Sequence, residues 1–146
     1  MYIDTGAMYR ALTWKALHQA VDLHEEQELI ALANSTNISL DSSGDELAVY
    51  CDGKEITAAI RTPQVSRLVS VIAQVAGVRR RLVDLQRQMA ASNRVVMDGR
   101  DIGTYVLPDA PFKYYLTASL DERVRRRGHE LAANGQPQDL ENLKEE

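Results

Sequence analysis

The stretch VVMDGRDIGTYVLPD, residues 95–109, sets an aspartate, an arginine and a second aspartate directly after a short apolar run. Val95, Val96 and Met97 read as a buried strand, with Asp98, Arg100 and Asp101 at its carboxyl end. Open α/β sheets receive their ligands at that end. Arg100 offers a planar fork that fits a phosphate or a carboxylate bidentately. An acid closing such a strand serves a metal ion where the ligand is a nucleotide phosphate, as the Walker-B aspartate does for Mg2+. The plain alternative is a turn that uses the backbone freedom of Gly99 and leaves its charges in water. Position at a strand end favours a site.

A second group of polar residues lies in DTGAMYR, residues 4–10. Thr5 can cap the helix that follows, and its hydroxyl together with the free N–H groups can hold an anion. Arg10, one turn further on, can reach the same anion. Taken alone, these residues also describe an ordinary helix cap with a solvated arginine.

The elements that must position both groups are legible from period and punctuation. Tyr2 and Ile3 look like the end of a strand, and a helix is expected from about Ala7 to Ala20, with Met8, Leu12 and Ala16 on one face. A short helix follows at residues 25–33. Apolar and polar residues then alternate through Ile38, Leu40, Leu47, Val49 and Cys51, and Asp52-Gly53 is a two-residue hairpin signal. Residues 37–57 are therefore expected to form a three-stranded antiparallel meander. Thr62-Pro63 opens a helix, with threonine as cap and proline in the first turn. Gly77 is expected to interrupt it before another helix carrying Val78, Leu82, Leu85 and Met89. Strands are expected at 95–98 and 112–117, the latter apolar enough to be covered on both faces. Ser119 to Glu122 is a capping box that starts an arginine-rich helix. Strands alternating with helices predict a parallel α/β sheet, and the meander is an insert of different period.

Composition narrows the function classes. The chain has 146 residues, 45% of them hydrophobic, and a net charge of −4. A nucleic-acid binder more often carries a basic surface, so long polyanions are not expected partners, although the arginine-bearing stretches 79–87 and 123–127 are the residues such a binder would use. The three histidines show no zinc-ligand spacing, and the single cysteine, Cys51, allows no internal disulfide. No apolar run is long enough to span a membrane, and the start, MYIDTGAMYR, does not read as a signal peptide. A reducing, cytoplasmic setting is expected.

The segments YIDTGAMYRAL, EITAAIRTPQVS, VRRRLVDLQR and VVMDGRDIGTYVLPDAPFKYYLTAS resemble the bacterial cytidylate kinases, a family of P-loop nucleoside monophosphate kinases. The resemblance covers nearly the whole chain. It implies a parallel-sheet α/β core, an antiparallel nucleotide-binding insert and a lid, divided as core 1–33, insert 34–62, helices and core strands 63–122 and start of the lid 123–146. It implies transfer of the terminal phosphoryl group of ATP to CMP or dCMP with Mg2+, in a monomer that needs neither nucleic acid nor membrane. By the same resemblance Thr5, Arg10 and Arg100 would hold the acceptor phosphate, and Ser70, Arg79 and Asp101 would contact cytosine. Asp98 and Arg100 would act at the transferring group, Asp98 on the Mg2+ side, and Arg126 would close over ATP. The chemistry is coherent: cytosine presents an amino donor that a carboxylate accepts, and uracil would oppose Asp101 with a carbonyl.

The sequence departs from the family's pattern at both ends. It contains no Gly-x-x-x-x-Gly-Lys-Ser/Thr phosphate cradle, which the family places, with its first strand, ahead of YIDTG. The remainder of the lid and the last core elements are also not represented. The resemblance puts that first strand between the strands expected at 95–98 and 112–117, so these residues alone are expected to leave unpaired edges, to fold poorly and to be inactive. Two other functions fit the residues: a catalytically dead CMP-binding module, and a kinase for another small acceptor.

Overall fold

The computed structural model of the chain describes residues 1–44, 46–133, 135 and 139–145. Two compact units make up the chain, Met1–Ala110 and Pro111–Glu146.

The first unit is α/β. Strand β1, Tyr2–Asp4, runs parallel to β5, Val96–Asp98, with Ile3 opposite Met97 and Asp4 opposite Asp98. Helix α1, Thr5–His18, leaves β1 without a loop, because the Asp4 carboxylate accepts from Ala7 N at 2.8 Å and caps the first turn. The cap is thus Asp4, one residue before the threonine expected to do this. Met8, Leu12 and Ala16 are fully buried, as their spacing requires of one helix face, and Ile3 of β1 is fully buried too. Each leucine or isoleucine so buried contributes about 1.5–3 kcal/mol.

Helix α2, Glu26–Ser35, leads into the antiparallel sheet of β2, Ile38–Asp41, β3, Ala48–Cys51, and β4, Lys54–Glu55. The β3–β4 turn is Asp52-Gly53, with φ of 50° and 81°. Both values lie in the left-handed region that a two-residue primed turn demands. Ile38, Leu40, Val49 and Cys51 face the core, and the alternating residues face water. Lys15 fastens this insert to α1. Its ammonium is almost fully buried, donates to Thr36 Oγ1 at 2.9 Å and lies 2.6 Å from Asp52 Oδ2. Asp52 also accepts from Asn37 N, and the Lys15 hydrogen bond, first among these contacts, holds its carboxyl below the usual carboxylate range.

Helix α3, Pro63–Gln74, begins as expected, with Thr62 accepting from Val65 N. Helix α4, Ala76–Ala91, follows after one extended residue, Val75. The break therefore falls before Gly77, which lies inside α4. Its function is close approach: a Cβ there would come within 2.6 Å of Ile30 Cγ1 on α2.

Two expectations are corrected. β5 forms, but Val96 is 71% exposed, because among the described residues β1 is the sole strand beside it and the ladder has two strands. Residues 112–117 form no strand, and Tyr115 is 92% exposed. An apolar run becomes a strand only where a neighbour accepts its ladder hydrogen bonds, and no such neighbour stands among the described residues.

The second unit contains α5, Leu120–Ala133, and α6, Leu140–Glu145, which bury Val124, Leu131 and Leu143 together. Ser119 Oγ accepts from Glu122 N at 3.2 Å, so the expected cap is present. Among the described residues no helix is long and apolar enough to cross a membrane.

Candidate nucleotide site

β1 and β5 run parallel and end level with one another, so the residues after Asp4 and after Asp98 emerge side by side. Thr5 Oγ1 donates to Asp98 O at 2.9 Å and is itself buried. Gly99 packs directly on it: a Cβ at residue 99 would overlap Thr5 Oγ1 and lie 2.8 Å from Ile102 Cδ1. The two groups of residues singled out by their chemistry therefore meet at one strand end. The hydroxyl proton of Thr5 is engaged by Asp98 O, so holding an anion through that hydroxyl requires the proton to be redirected.

Arg10 folds back along α1, its Nη1 3.4 Å from the position a Cβ would take at Gly6 in the first turn. Neither Arg10 nor Arg100 has a hydrogen-bonding or ion-pair partner among the described residues. A guanidinium without a carboxylate partner beside the first turn of a helix, as Arg10 is, favours an anion. Asp98 projects from the same end, and its Oδ1 accepts from Tyr2 OH at 2.8 Å.

Asp101 is half-buried and forms an ion pair with Arg79 Nη2 from α4. Residues 102–106 coil in a single π-type turn, Ile102–Val106, a form enriched at functional sites. The turn is fastened to α4 by Arg87, which donates from Nε to Val106 O at 2.9 Å and from Nη2 to Tyr105 O at 2.8 Å. The Tyr105 ring lies beneath both guanidinium groups, 5.4 Å from Arg79 Cζ and 5.7 Å from Arg87 Cζ. Tyr9 approaches the same group; burial raises its phenol, and the neighbouring Arg79 charge partly offsets this.

Ser70 lies on α3, exposed and without a hydrogen-bond partner among the described residues. Arg126 belongs to the second unit, where its Nε donates to Glu122 Oε1 at 2.6 Å. Arg125 grips the same carboxylate, and the two arginines hold Glu122 down at about 2.

Sequence reasoning missed Tyr2, Tyr105 and Arg87. Tyr2 carried a readable signal, since a parallel register that aligns Asp4 with Asp98 puts the Tyr2 ring within reach of the same carboxylate. Tyr105 carried none, because nothing in its neighbours announces a π turn. Burial, followed by the Asp98 hydrogen bond and charge, pushes the Tyr2 phenol up to about 12. An ultraviolet titration of the six tyrosines should show one ionising near that value, absent in Tyr2→Phe. The raised folded value means that this contribution to stability is complete below about 10. It disappears as pH rises toward the folded value. A titration in which Tyr2→Phe removes an ordinary tyrosine would contradict the contact.

The fold and site together define a class: an α/β domain of the nucleoside monophosphate kinase type, with an antiparallel insert and an acid–arginine cluster at the strand ends. A model of the cytidylate kinase family matches residues 1–146. The chain is 56% identical over 134 residues to a cytidylate kinase of Desulfitobacterium hafniense (strain Y51), covering 92% of this chain and 57% of that protein. It is 55% identical over 137 residues to a cytidylate kinase of Pelotomaculum thermopropionicum, covering 92% and 60%. A bifunctional pantoate ligase/cytidylate kinase of Synechococcus sp. (strain JA-3-3Ab) is 50% identical over 147 residues, covering 99% and 27%. The chain belongs to the cytidylate kinase family. It spans well under two thirds of the length of these three relatives.

Proposed function

We propose that this chain carries the acceptor half of a kinase that moves the terminal phosphoryl group of ATP to CMP or dCMP. The observation that supports the reading is the hydrogen bond from Thr5 Oγ1 to Asp98 O, with Gly99 packed on the same hydroxyl, which joins the ends of β1 and β5. Arg10 and Arg100 take the acceptor phosphate, with the first turn of α1 beside it. Asp101 accepts from the cytosine amino group, Arg79 donates to the ring nitrogen and carbonyl, and Ser70 adds a contact to the base.

Among the described residues no group of three or more acidic, histidine or cysteine side chains can hold a metal ion. That suits Mg2+, which keeps several waters and takes one or two carboxylates alongside substrate phosphates. Asp98 is the residue that would hold it, through its carboxylate. The ion, when bound, neutralises phosphate charge. Tyr2 fixes the Asp98 side chain by occupying Oδ1. Arg100 is the residue that would act on the transferring group as an electrostatic clamp. Arg126 exchanges the exposed Glu122 carboxylate for ATP phosphates, an inexpensive exchange because surface ion pairs are worth little. Cytoplasmic residence, a monomeric state and no need for nucleic acid belong to the same reading.

Calorimetric titration with CMP and UMP tests it. CMP should bind at least tenfold more tightly than UMP, since a mismatched base leaves charged groups unpaired. Asp101→Asn should narrow that gap by weakening CMP. Equal affinity for the two bases, or UMP preferred, would sink the reading.

A further inference from the structure

We infer that Tyr105 and Arg87 are positioning residues that set base selectivity by aiming the Arg79–Asp101 pair; the inference rests on the functional reading above. Arg79 is more than half enclosed and Asp101 about two thirds enclosed, so each retains the freedom to turn toward water. Two contacts oppose that freedom. The Tyr105 ring lies 5.4 Å from Arg79 Cζ, and a cation over an aromatic face is held there by the ring quadrupole. The same ring lies 5.7 Å from Arg87 Cζ, so the guanidinium groups of Arg79 and Arg87 share it.

Arg87 does more than stack. Its two hydrogen bonds end on the carbonyls of Tyr105 and Val106, and these fix the turn that carries the ring. The same turn begins at Asp101, whose carbonyl accepts from Tyr105 N at 2.9 Å and from Val106 N at 3.2 Å. Arg79 and Arg87 both rise from α4, two turns apart. The assembly is therefore a closed loop: α4 holds the turn through Arg87, the turn holds Tyr105, Tyr105 holds Arg79, and Arg79 pairs with Asp101 at the head of the turn. A base reader needs a donor fork and an acceptor at fixed separation. This loop supplies the separation, and none of its outer members needs to touch the base.

Tyr105→Ala and Tyr105→Phe separate this role from general stability. Loss of the ring should weaken CMP about three- to tenfold, the range of one cation–π contact, and should narrow the CMP-to-UMP ratio. The phenylalanine variant keeps the aromatic face and should restore both. Arg87→Gln should reproduce the alanine phenotype. Independently of any nucleotide, the side-chain NMR resonances of Arg79 should lose their ring-current shift in Tyr105→Ala and keep it in Tyr105→Phe. An unchanged ratio in Tyr105→Ala, or a phenylalanine variant no better than alanine, overturns the inference. A wild-type chain that binds neither nucleotide overturns the functional reading. In that case the Arg79 resonances still decide the stack, and their indifference to Tyr105→Ala overturns it as well.

Discussion

Gly99→Ala should lower the thermal midpoint by about 4–10 °C, the equivalent of roughly 1–3 kcal/mol of overpacking in a chain of this size. The added methyl overlaps Thr5 Oγ1 and reaches 2.8 Å from Ile102 Cδ1. The isoleucine tip can swing away, but Thr5 cannot do so freely. It is β-branched, buried and tied to Asp98 O at 2.9 Å. Turning it breaks the link between the ends of β1 and β5, so CMP affinity should fall along with stability. The double variant Thr5→Ala/Gly99→Ala removes the obstructing oxygen. It should recover a large part of the loss, giving a coupling of about 0.5–3 kcal/mol in a thermodynamic cycle. Additive effects, measured by thermal or denaturant unfolding, would show that the contact does not constrain the fold.

Asp52→Asn should destabilise the chain by about 2 kcal/mol, more than Lys15→Met. The Lys15 side chain is 9% exposed and the Asp52 side chain 45%. Removing the acid leaves an enclosed ammonium with Thr36 alone, whereas removing the lysine leaves a carboxylate that water can reach. Asparagine tolerates the left-handed backbone at residue 52 and keeps an acceptor for Asn37 N, so the substitution removes charge without straining the turn. The pH dependence follows from the lowered Asp52 value. A carboxyl held below its unfolded value of about 3.9 contributes stability above that pH and loses it as pH falls through the folded value. The acid limb of the stability curve should flatten in Asp52→Asn. Urea unfolding at pH 7 and pH 3 checks both statements, and an equal loss in the two variants at pH 7 would contradict them.

These two positions show where the sequence was legible. Asp52-Gly53 and Thr62-Pro63 act over two or three residues, so their turn and cap could be read directly. The alternation through Ile38, Leu40, Val49 and Cys51 fixed the insert and its inward face. Asp98, Arg100 and Asp101 were singled out because strand ends in α/β sheets collect ligand-binding groups, Thr5 and Arg10 because a helix N-terminus can hold an anion, and the resemblance added Ser70, Arg79 and Arg126. Contacts between distant segments were not legible. Nothing adjacent to Lys15 announces Asp52, 37 positions later, and a lysine among apolar residues reads as a stem lying along the surface. The run at 112–117 has strand composition, yet composition cannot supply the neighbouring ladder on which a strand depends. The π turn at 102–106 has no sequence period, and its signature is the pair of arginine hydrogen bonds from another helix.

Phe112, Tyr114, Tyr115 and Leu116 stand almost fully in solvent within the sextet FKYYLT. That sextet has high β-propensity, one charge and no proline, the makeup of segments that nucleate cross-β stacking between molecules. The consequence is colloidal. At high concentration this chain should self-associate through residues 112–117, and a charge placed on that segment should protect its solubility.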